Sequence, residues 1–276
     1  MRGWVFVLLS ILIAAPGHAA AEPAYPWLDD APTETIIDRF AAPPGFVRVA
    51  VEPGSFGEWL RGLPLAPAGT PVRLHDGREK ADQSDVAAVI DIDVGSADLQ
   101  QCADAIIRLR AEYLFSRGAF ADIAFDFTSG DRYHFRSYAE GVTPAVAGSK
   151  VSWRQGRGNG DSHESLRRWL DIVFTYAGTV SLSHELDPVG SLPDADIGDA
   201  LILPGSPGHA VLIVDMATDA ATGRKAVLLA QGFMPAQSVH ILANLDDDAP
   251  SPWFLVDDDR VVAGPWVFTP DRLRRF

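Results

Sequence analysis

Residues 208–215 read Gly-His-Ala-Val-Leu-Ile-Val-Asp, an unbroken apolar run that directly follows a histidine. A short continuous run of this kind is typical of a strand that is buried on both faces. Two further runs with strand character lie before and after it, at residues 200–203 and 225–230. These stretches predict neighbouring strands of an antiparallel sheet, with His209 at the start of one of them.

The turn between the second and third of these strands sets which side chains face each other. If the hairpin centres near Ala220, His209 and Gln231 are cross-strand neighbours. Directly opposed side chains lie about 5 Å apart at Cβ, so Gln231 would be close enough to bond a ring nitrogen of the histidine. A slip of one residue would turn Gln231 to the other face, and Gln237 competes for the same role.

Cys102 is the only cysteine of the chain, so it cannot form an internal disulfide. Asp98 followed three residues later by Gln101 predicts a helix start, which puts the thiol in or near the first turn. The helix macrodipole favours a thiolate at this position, and a thiolate is the nucleophilic form of cysteine. The alternative interpretation is a small buried hydrophobic residue, since free cysteines are most often buried.

Together these residues predict cysteine chemistry, with Cys102 as nucleophile, His209 as base and Gln231 as the residue that orients the base. No metal or organic cofactor is expected. His163, His184 and His240 lack the spacing of a metal site, and the Asp257-Asp258-Asp259 run is expected to be a solvated loop.

The order of the elements predicts an α+β fold. Helical patterns at residues 35–40, 56–63 and 162–177 precede a series of strands in the last third of the chain. Such an arrangement favours helices packed on an antiparallel sheet or half-barrel. We expect a single domain over residues 21–276, with a core at 85–245 and an N-terminal arm or lid at 22–65.

Residues 1–20 have the pattern of a secretory signal peptide: one positive charge, an apolar run and then small residues. The mature protein is therefore expected to be periplasmic or secreted, with no membrane attachment after the signal is removed. The whole chain carries a net charge of −14, which argues against nucleic acid and anionic membrane surfaces as partners. We expect a cell-wall peptide or a small amide as the substrate.

Two family resemblances follow from these residues. The Gly-Asp-Ala-Leu-Ile-Leu stretch at 198–203 and the strand from His209 resemble the histidine-strand signature of the NlpC-type cell-wall peptidases, which are papain-like, and Gln101-Cys102-Ala103 resembles their cysteine-helix start. This resemblance implies a papain-like (NlpC-type) arrangement with Cys102, His209 and Gln231 in the catalytic roles. Where that family usually has Asp or Asn followed by Cys-Ser-Gly, this chain has Gln-Cys-Ala.

The second resemblance spans most of the chain. Residues 101–105, 108–114, 207–210 and 229–237 resemble an exported bacterial family catalogued as domain of unknown function 4846. The description of that family names no activity, so the function has to be argued from the residues. We expect a secreted cysteine hydrolase, amidase or transferase; the alternatives are a noncatalytic glycan- or peptide-binding module on the same fold and a metal-dependent hydrolase.

Overall fold

The computed structural model describes residues 24–246 and 251–276. The predicted signal segment, residues 1–20, lies outside the described residues. Within the described ranges the helices are α1 (Ile36–Arg39), α2 (Phe56–Arg61), α3 (Cys102–Ser116), α4 (Phe135–Ala139), α5 (His163–Tyr176) and α6 (Thr179–Glu185), with 3-10 turns at Leu192–Asp194 and Pro270–Arg272. None of the helices in this part of the chain has the length and apolar character needed to cross a membrane.

The strands are β1 (Phe46–Arg48), β2 (Val86–Val89), β3 (Ala124–Asp126), β4 (Arg132–His134), β5 (Val142–Ala147), β6 (Lys150–Gln155), β7 (Asp187–Pro188), β8 (Ala200–Leu203), β9 (His209–Asp219), β10 (Lys225–Gln231), β11 (His240–Leu242), β12 (Phe254–Leu255), β13 (Val261–Ala263), β14 (Trp266–Phe268) and β15 (Leu273–Arg275). Nine of them form the main sheet in the order β2-β11-β10-β9-β8-β15-β7, with β1 also paired to β9 and β12 to β10. The pairs β3–β4, β5–β6 and β13–β14 form separate hairpins. All of these pairings are antiparallel, so the α+β class predicted from the sequence is confirmed.

Strand β9 occupies the centre of the main sheet. Its nine residues from His209 to Ala217 are all buried, and helices α2 and α3 pack against it. A strand covered on both faces needs apolar residues at successive positions, which is the pattern of residues 210–214. This burial explains why the run is continuous where a half-exposed strand would alternate.

The hairpin of β9 and β10 contains a β-bulge. Leu228 lies opposite Asp215, but the next residue, Leu229, lies opposite Ile213. Val214 is therefore an extra residue in β9 with no counterpart in β10. From Leu229 to the open end of the hairpin, away from the turn, the pairing is shifted by one residue relative to the pairing of Lys225–Leu228.

The bulge decides which way Gln231 faces. Beyond it Ala230 lies opposite Leu212, and one step further in this register puts Gln231 opposite Val211. The sequence-based pairing of Gln231 directly with His209 is thus wrong by two residues. Because side chains alternate between faces, Gln231 is still on the face of His209, whereas continuing the register that precedes the bulge would place it on the opposite face.

The N-terminal segment is part of the core. Ile36 and Leu60 are completely buried, and strand β1 pairs with the outer end of β9. The Trp59 indole N–H donates to the carbonyl of Ala24 at 2.6 Å, which fastens the first described residues to α2. Ile36 and Leu60 thus contribute side chains to the core, within the range 22–65 for which an arm or lid is expected.

A buried ion pair within α3 is hydrogen-bonded by the first residue of α5. Arg108 and Glu112 are both fully buried, with Nε and Oε1 2.6 Å apart, and the His163 ring bonds the same carboxylate at 2.9 Å. Burial opposes ionisation of Glu112, but the Arg108 charge and the hydrogen bond from His163 outweigh it and lower the pKa of this carboxyl. His163, considered above for a metal site, is thus engaged in joining two helices.

Asp215 joins the N-terminal segment to the central strand. Its carboxylate is fully buried and accepts from Arg48 Nε and Arg61 Nε, each at 2.7 Å. Arg48 lies on β1 and Arg61 ends α2, so one carboxylate on β9 holds both elements. Both guanidinium groups depend on it for charge balance inside the protein.

Replacing Asp215 by alanine is expected to lower the free energy of unfolding by about 3–5 kcal/mol, because two largely buried arginines lose their counter-charge. The matched control is Glu79→Ala, which breaks the exposed pair with Arg73 and should cost about 1 kcal/mol or less. Urea unfolding followed by circular dichroism measures both. Losses of similar size in the two variants would contradict the structural role of Asp215.

Candidate active site

Helix α3 begins at Cys102, so the thiol lies in the first turn as the sequence predicts. The residue that caps the helix is not the predicted one. The N-cap is Gln101, whose backbone N–H donates to Asp104 Oδ2 at 3.0 Å. Asp98, the expected start, instead accepts from the backbone N–H of Ala236 at 2.6 Å, because the chain after β10 passes next to the N-terminus of α3.

The Cys102 sulfur contacts the start of strand β9. The backbone N–H of Ala210, the residue after His209, interacts with the thiol, as does that of Ala103. Burial nevertheless raises the pKa of Cys102, and the Asp104 carboxyl raises it further, against these N–H groups. The expectation that the helix start favours a thiolate is therefore wrong for the resting protein, because desolvation outweighs the dipole.

His209 and Gln231 are brought together in the core. Nε2 of His209 and Oε1 of Gln231 are 2.8 Å apart, and the two side chains are 1% and 5% exposed. Within the part of the chain that the structure describes, Nδ1 of His209 is buried and has no hydrogen-bond partner. Gln237, the competing candidate, is buried elsewhere, next to the Leu74 bridge, and makes no bond to the histidine.

Aromatic rings enclose the histidine. Trp266 stacks on His209 with ring centroids 4.6 Å apart and an interplanar angle of 21°, and Phe233 contacts it edge-on at 5.4 Å. Burial lowers the pKa of His209 to about 4, although the bond to Gln231 acts in the opposite direction. Sequence reasoning missed Trp266, since it comes from the β14 strand near the C-terminus and has no spacing relation to His209.

A second histidine extends the hydrogen-bonded chain. Nε2 of His240 is 3.2 Å from Nε2 of Gln231, and Nδ1 of His240 is 3.0 Å from the carbonyl of Ser238. His240 lies on β11, directly paired with Gln231 on β10, and is fully buried. The sequence offered one weak signal for it, a histidine at the start of a fully apolar strand.

Two glycines allow the segments to approach. A Cβ atom at Gly232 would lie 2.8 Å from the carbonyl oxygen of Gln101, closer than side-chain atoms pack. A Cβ atom at Gly208 would lie 2.7 Å from the carbonyl oxygen of Leu203. The start of α3 therefore packs against the end of β10, and the loop before His209 turns tightly, only because these positions have no side chain.

Cys102 lines a small cleft of about 240 Å³. Ligand pockets for drug-sized molecules usually measure about 300–1,000 Å³, so this cleft suits a short segment of a substrate better than a large ligand. His209 is buried and is not among the residues that line the cleft. Residues that line the cleft with Cys102 include Gln101, Asp104, Phe174, Thr179, Gly208 and Met234.

Asp104 is the buried acid of this region. Its Oδ1 atom has no hydrogen-bond partner within the described residues, and burial raises its pKa from 3.8 to about 8. The backbone N–H of Gln101 stabilises the charged form but does not offset the loss of water. The side chain is therefore largely protonated at neutral pH.

Among the residues of the two described ranges, no group of three or more histidine, cysteine, aspartate or glutamate side chains is placed to hold a metal ion. Asp199, in the turn before β8, accepts from the backbone N–H of Asp196 at 2.8 Å and from Arg275.

The comparisons with known proteins give one family. A family model described as "Domain of unknown function (4846)" matches residues 36–275, in agreement with the resemblance seen in the sequence. No curated protein and no solved structure matches the chain. The likeness to NlpC-type peptidases therefore remains a prediction from short motifs.

The Asp104→Asn variant is expected to be more stable than the wild type at neutral pH. Between pH 4 and pH 8 the unfolded chain ionises this carboxyl while the folded protein keeps the proton, so stability falls as pH rises. Asparagine retains an oxygen to accept from Gln101 and never ionises, and should raise the free energy of unfolding by at least about 1 kcal/mol at pH 7.5.

Urea unfolding of both proteins at pH 4.5 and pH 7.5 measures this effect. The stability gain of Asp104→Asn should be present at pH 7.5 and small at pH 4.5. An equal difference at the two pH values would show that Asp104 is ionised in the folded protein.

Proposed function

The chain belongs to the family described as domain of unknown function 4846, whose description carries no activity, and we propose from its site that it is a cysteine hydrolase or acyltransferase acting on an amide bond. One observation carries the proposal. His209 uses Nε2 to bond Gln231 and has a free, buried Nδ1, and the residue after it touches the Cys102 sulfur. A base that is oriented on one side and unpartnered on the other is the arrangement that thiol activation requires.

We propose that this arrangement is papain-like. Such sites combine a cysteine at the start of a helix, a histidine at the start of a strand and a polar residue on the adjacent strand. Cys102 on α3, His209 on β9 and Gln231 on β10 occupy these three positions. The resemblance to NlpC-type peptidases read from the sequence supports the same assignment.

The chemistry follows from the charge state of the pair. Burial raises the pKa of Cys102 and lowers that of His209, so both groups are neutral in the resting protein. His209 Nδ1 takes the thiol proton as the sulfur attacks the carbonyl carbon of the substrate. The carbonyl oxygen becomes an oxyanion, and we assign its stabilisation to backbone N–H groups at the start of α3, which have no carbonyl partner within the helix.

The proton on His209 then passes to the leaving amine, and the C–N bond breaks to leave a thioester on Cys102. Water, activated by the same Nδ1, hydrolyses the thioester and regenerates the thiol; an amine in place of water gives transfer. Apart from the substrate and the water or amine that accepts the acyl group, each step uses only groups of this chain. Gln231 stabilises the imidazolium through its amide oxygen.

A cell-wall peptide or small amide is the proposed substrate. The size of the cleft suits a short peptide segment, and its lining residues Asp98 and Asp104 provide acidic but no basic side chains. The proposed periplasmic or secreted location rests on the signal pattern of residues 1–20.

A noncatalytic peptide- or glycan-binding module is the second candidate. The observation in its favour is the raised pKa of Cys102, since a protonated, largely buried thiol is also typical of a structural cysteine. Reactivity of the folded protein separates the two functions. No observation favours the third expectation, a metal-dependent hydrolase.

Treatment with p-nitrophenyl acetate at pH 7 is expected to release p-nitrophenolate in a burst and to acetylate Cys102, detected by mass spectrometry of the peptide. His209→Asn should slow acylation by about 10²- to 10⁴-fold, because the general base is lost. Gln231→Leu should also slow it, whereas Gln237→Leu is the matched control and should leave the rate unchanged. Acetylation of Cys102 only after unfolding would refute the hydrolase and favour the binding module.

The acylation rate should stay constant from about pH 7 down to about pH 5 and fall as His209 becomes protonated near pH 4. The base works only when neutral, so activity is lost on the acidic side of its pKa. Trp266→Ala exposes the ring to water and should move this fall upward, toward the ordinary histidine pKa of 6.5. An unmoved profile in Trp266→Ala would mean that another group sets it.

A further inference from the structure

We propose that His240 is a positioning residue that determines, through Gln231, which nitrogen of His209 carries the proton. This inference rests on the proposed function, because the state it selects is the one in which His209 can accept the thiol proton. It adds a fourth residue, on a third strand, to the three predicted from the sequence.

The chain of hydrogen bonds is anchored at a backbone carbonyl. The Ser238 oxygen can only accept, so the Nδ1 atom of His240, 3.0 Å away, must carry a proton and donate it. In a neutral imidazole the other nitrogen then has a lone pair and no proton. Nε2 of His240 is therefore an acceptor.

His240 is neutral in its surroundings. The ring is fully buried, and burial lowers its pKa. The charged groups that act on it are Asp85, which raises the pKa, and Lys80, which lowers it, and these two form an ion pair with each other. The charge of Asp85 is therefore balanced by Lys80 and does not keep a second proton on the His240 ring.

The acceptor on His240 orients the amide of Gln231. Only the NH₂ end of the amide can donate, so Nε2 of Gln231 faces His240, at 3.2 Å. The amide oxygen then faces His209, 2.8 Å from its Nε2. That oxygen accepts only, so Nε2 of His209 must carry the proton and Nδ1 is left with its lone pair.

The alternative orientation of Gln231 would prevent the reaction. With its NH₂ end toward His209, the amide would donate to Nε2, and the proton of the neutral ring would move to Nδ1. That nitrogen could not then accept a proton from Cys102. The three side chains are 0–5% exposed, so bulk water does not compete for these hydrogen bonds, and the orientation of the amide depends on His240.

Direct strand pairing makes this coupling rigid. Gln231 and His240 are opposed residues of β10 and β11. Both ring nitrogens of His240 are therefore bonded, Nδ1 to the Ser238 carbonyl and Nε2 to Gln231, and the second bond is the one through which His240 acts on His209.

Two substitutions separate these roles. His240→Gln places an amide oxygen near the position of Nε2 and can still accept from Gln231. His240→Asn can still donate to the Ser238 carbonyl but is too short to reach Gln231. Nitrogen-15 chemical shifts of the histidine rings in the labelled protein report which nitrogen of His209 is protonated, and acylation by p-nitrophenyl acetate reports its use as a base.

The wild type and His240→Gln should show His209 protonated on Nε2. In His240→Asn, His209 should be a mixture of the two forms or protonated on Nδ1. Acylation of Cys102 in this variant should be about 10- to 100-fold slower than in the wild type, whereas His240→Gln should stay within about threefold of the wild-type rate. Thermal unfolding of each variant records any loss of the fold separately.

Two outcomes would overturn the proposal. One is a wild-type protein with the proton of His209 on Nδ1, which needs no variant to observe. Another is the finding that the His240→Asn variant retains both the Nε2-protonated ring of His209 and the wild-type acylation rate. If Cys102 of the wild type is not acylated at all, the proposed hydrolase fails, but the ring shifts still show whether His240 sets the protonation of His209.

Discussion

The pairing of β9 with β10 is the constraint on which the remaining structure depends. Strand β9 is buried on both faces, so its register with β10 decides which side chains meet inside the protein. The bulge at Val214 shifts that register by one residue and keeps Gln231 on the face of His209. Helix α3, which carries Cys102, packs against the same strand, so the relative positions of thiol, imidazole and amide all follow from this one hairpin.

The side-chain nitrogen and oxygen atoms of the network formed by His209, Gln231 and His240 are all hydrogen-bonded except one, Nδ1 of His209. Gln231 and His240 each bond two partners, whereas His209 leaves Nδ1 open beside the strand position that contacts the Cys102 sulfur. An unpaired buried nitrogen costs stability, and buried polar groups are usually paired. Such a cost is tolerated at functional sites, which is why the open nitrogen supports a catalytic reading of the site.

The main candidate residues could be predicted because their local patterns are strong. A helix start containing the sole cysteine and a histidine that opens an apolar strand are features of neighbouring residues. The choice of Gln231 over Gln237 needed the bulged register, which has no signature in the sequence. Trp266 and His240 were missed as site residues because they reach His209 and Gln231 from β14 and β11, through contacts between residues distant in the chain.

By itself, the sequence determined the long helices and the central strands, the α+β class and the three candidate residues, because hydrophobic periodicity and chain breaks are local properties. Tertiary structure decided the protonation states. The helix dipole alone favours a thiolate at Cys102, but packing against β9 removes water from the sulfur and raises its pKa. The ring of His209 is made neutral by the aromatic residues that cover it. Desolvation depends on every element that packs against a group, and only the folded chain brings those elements together.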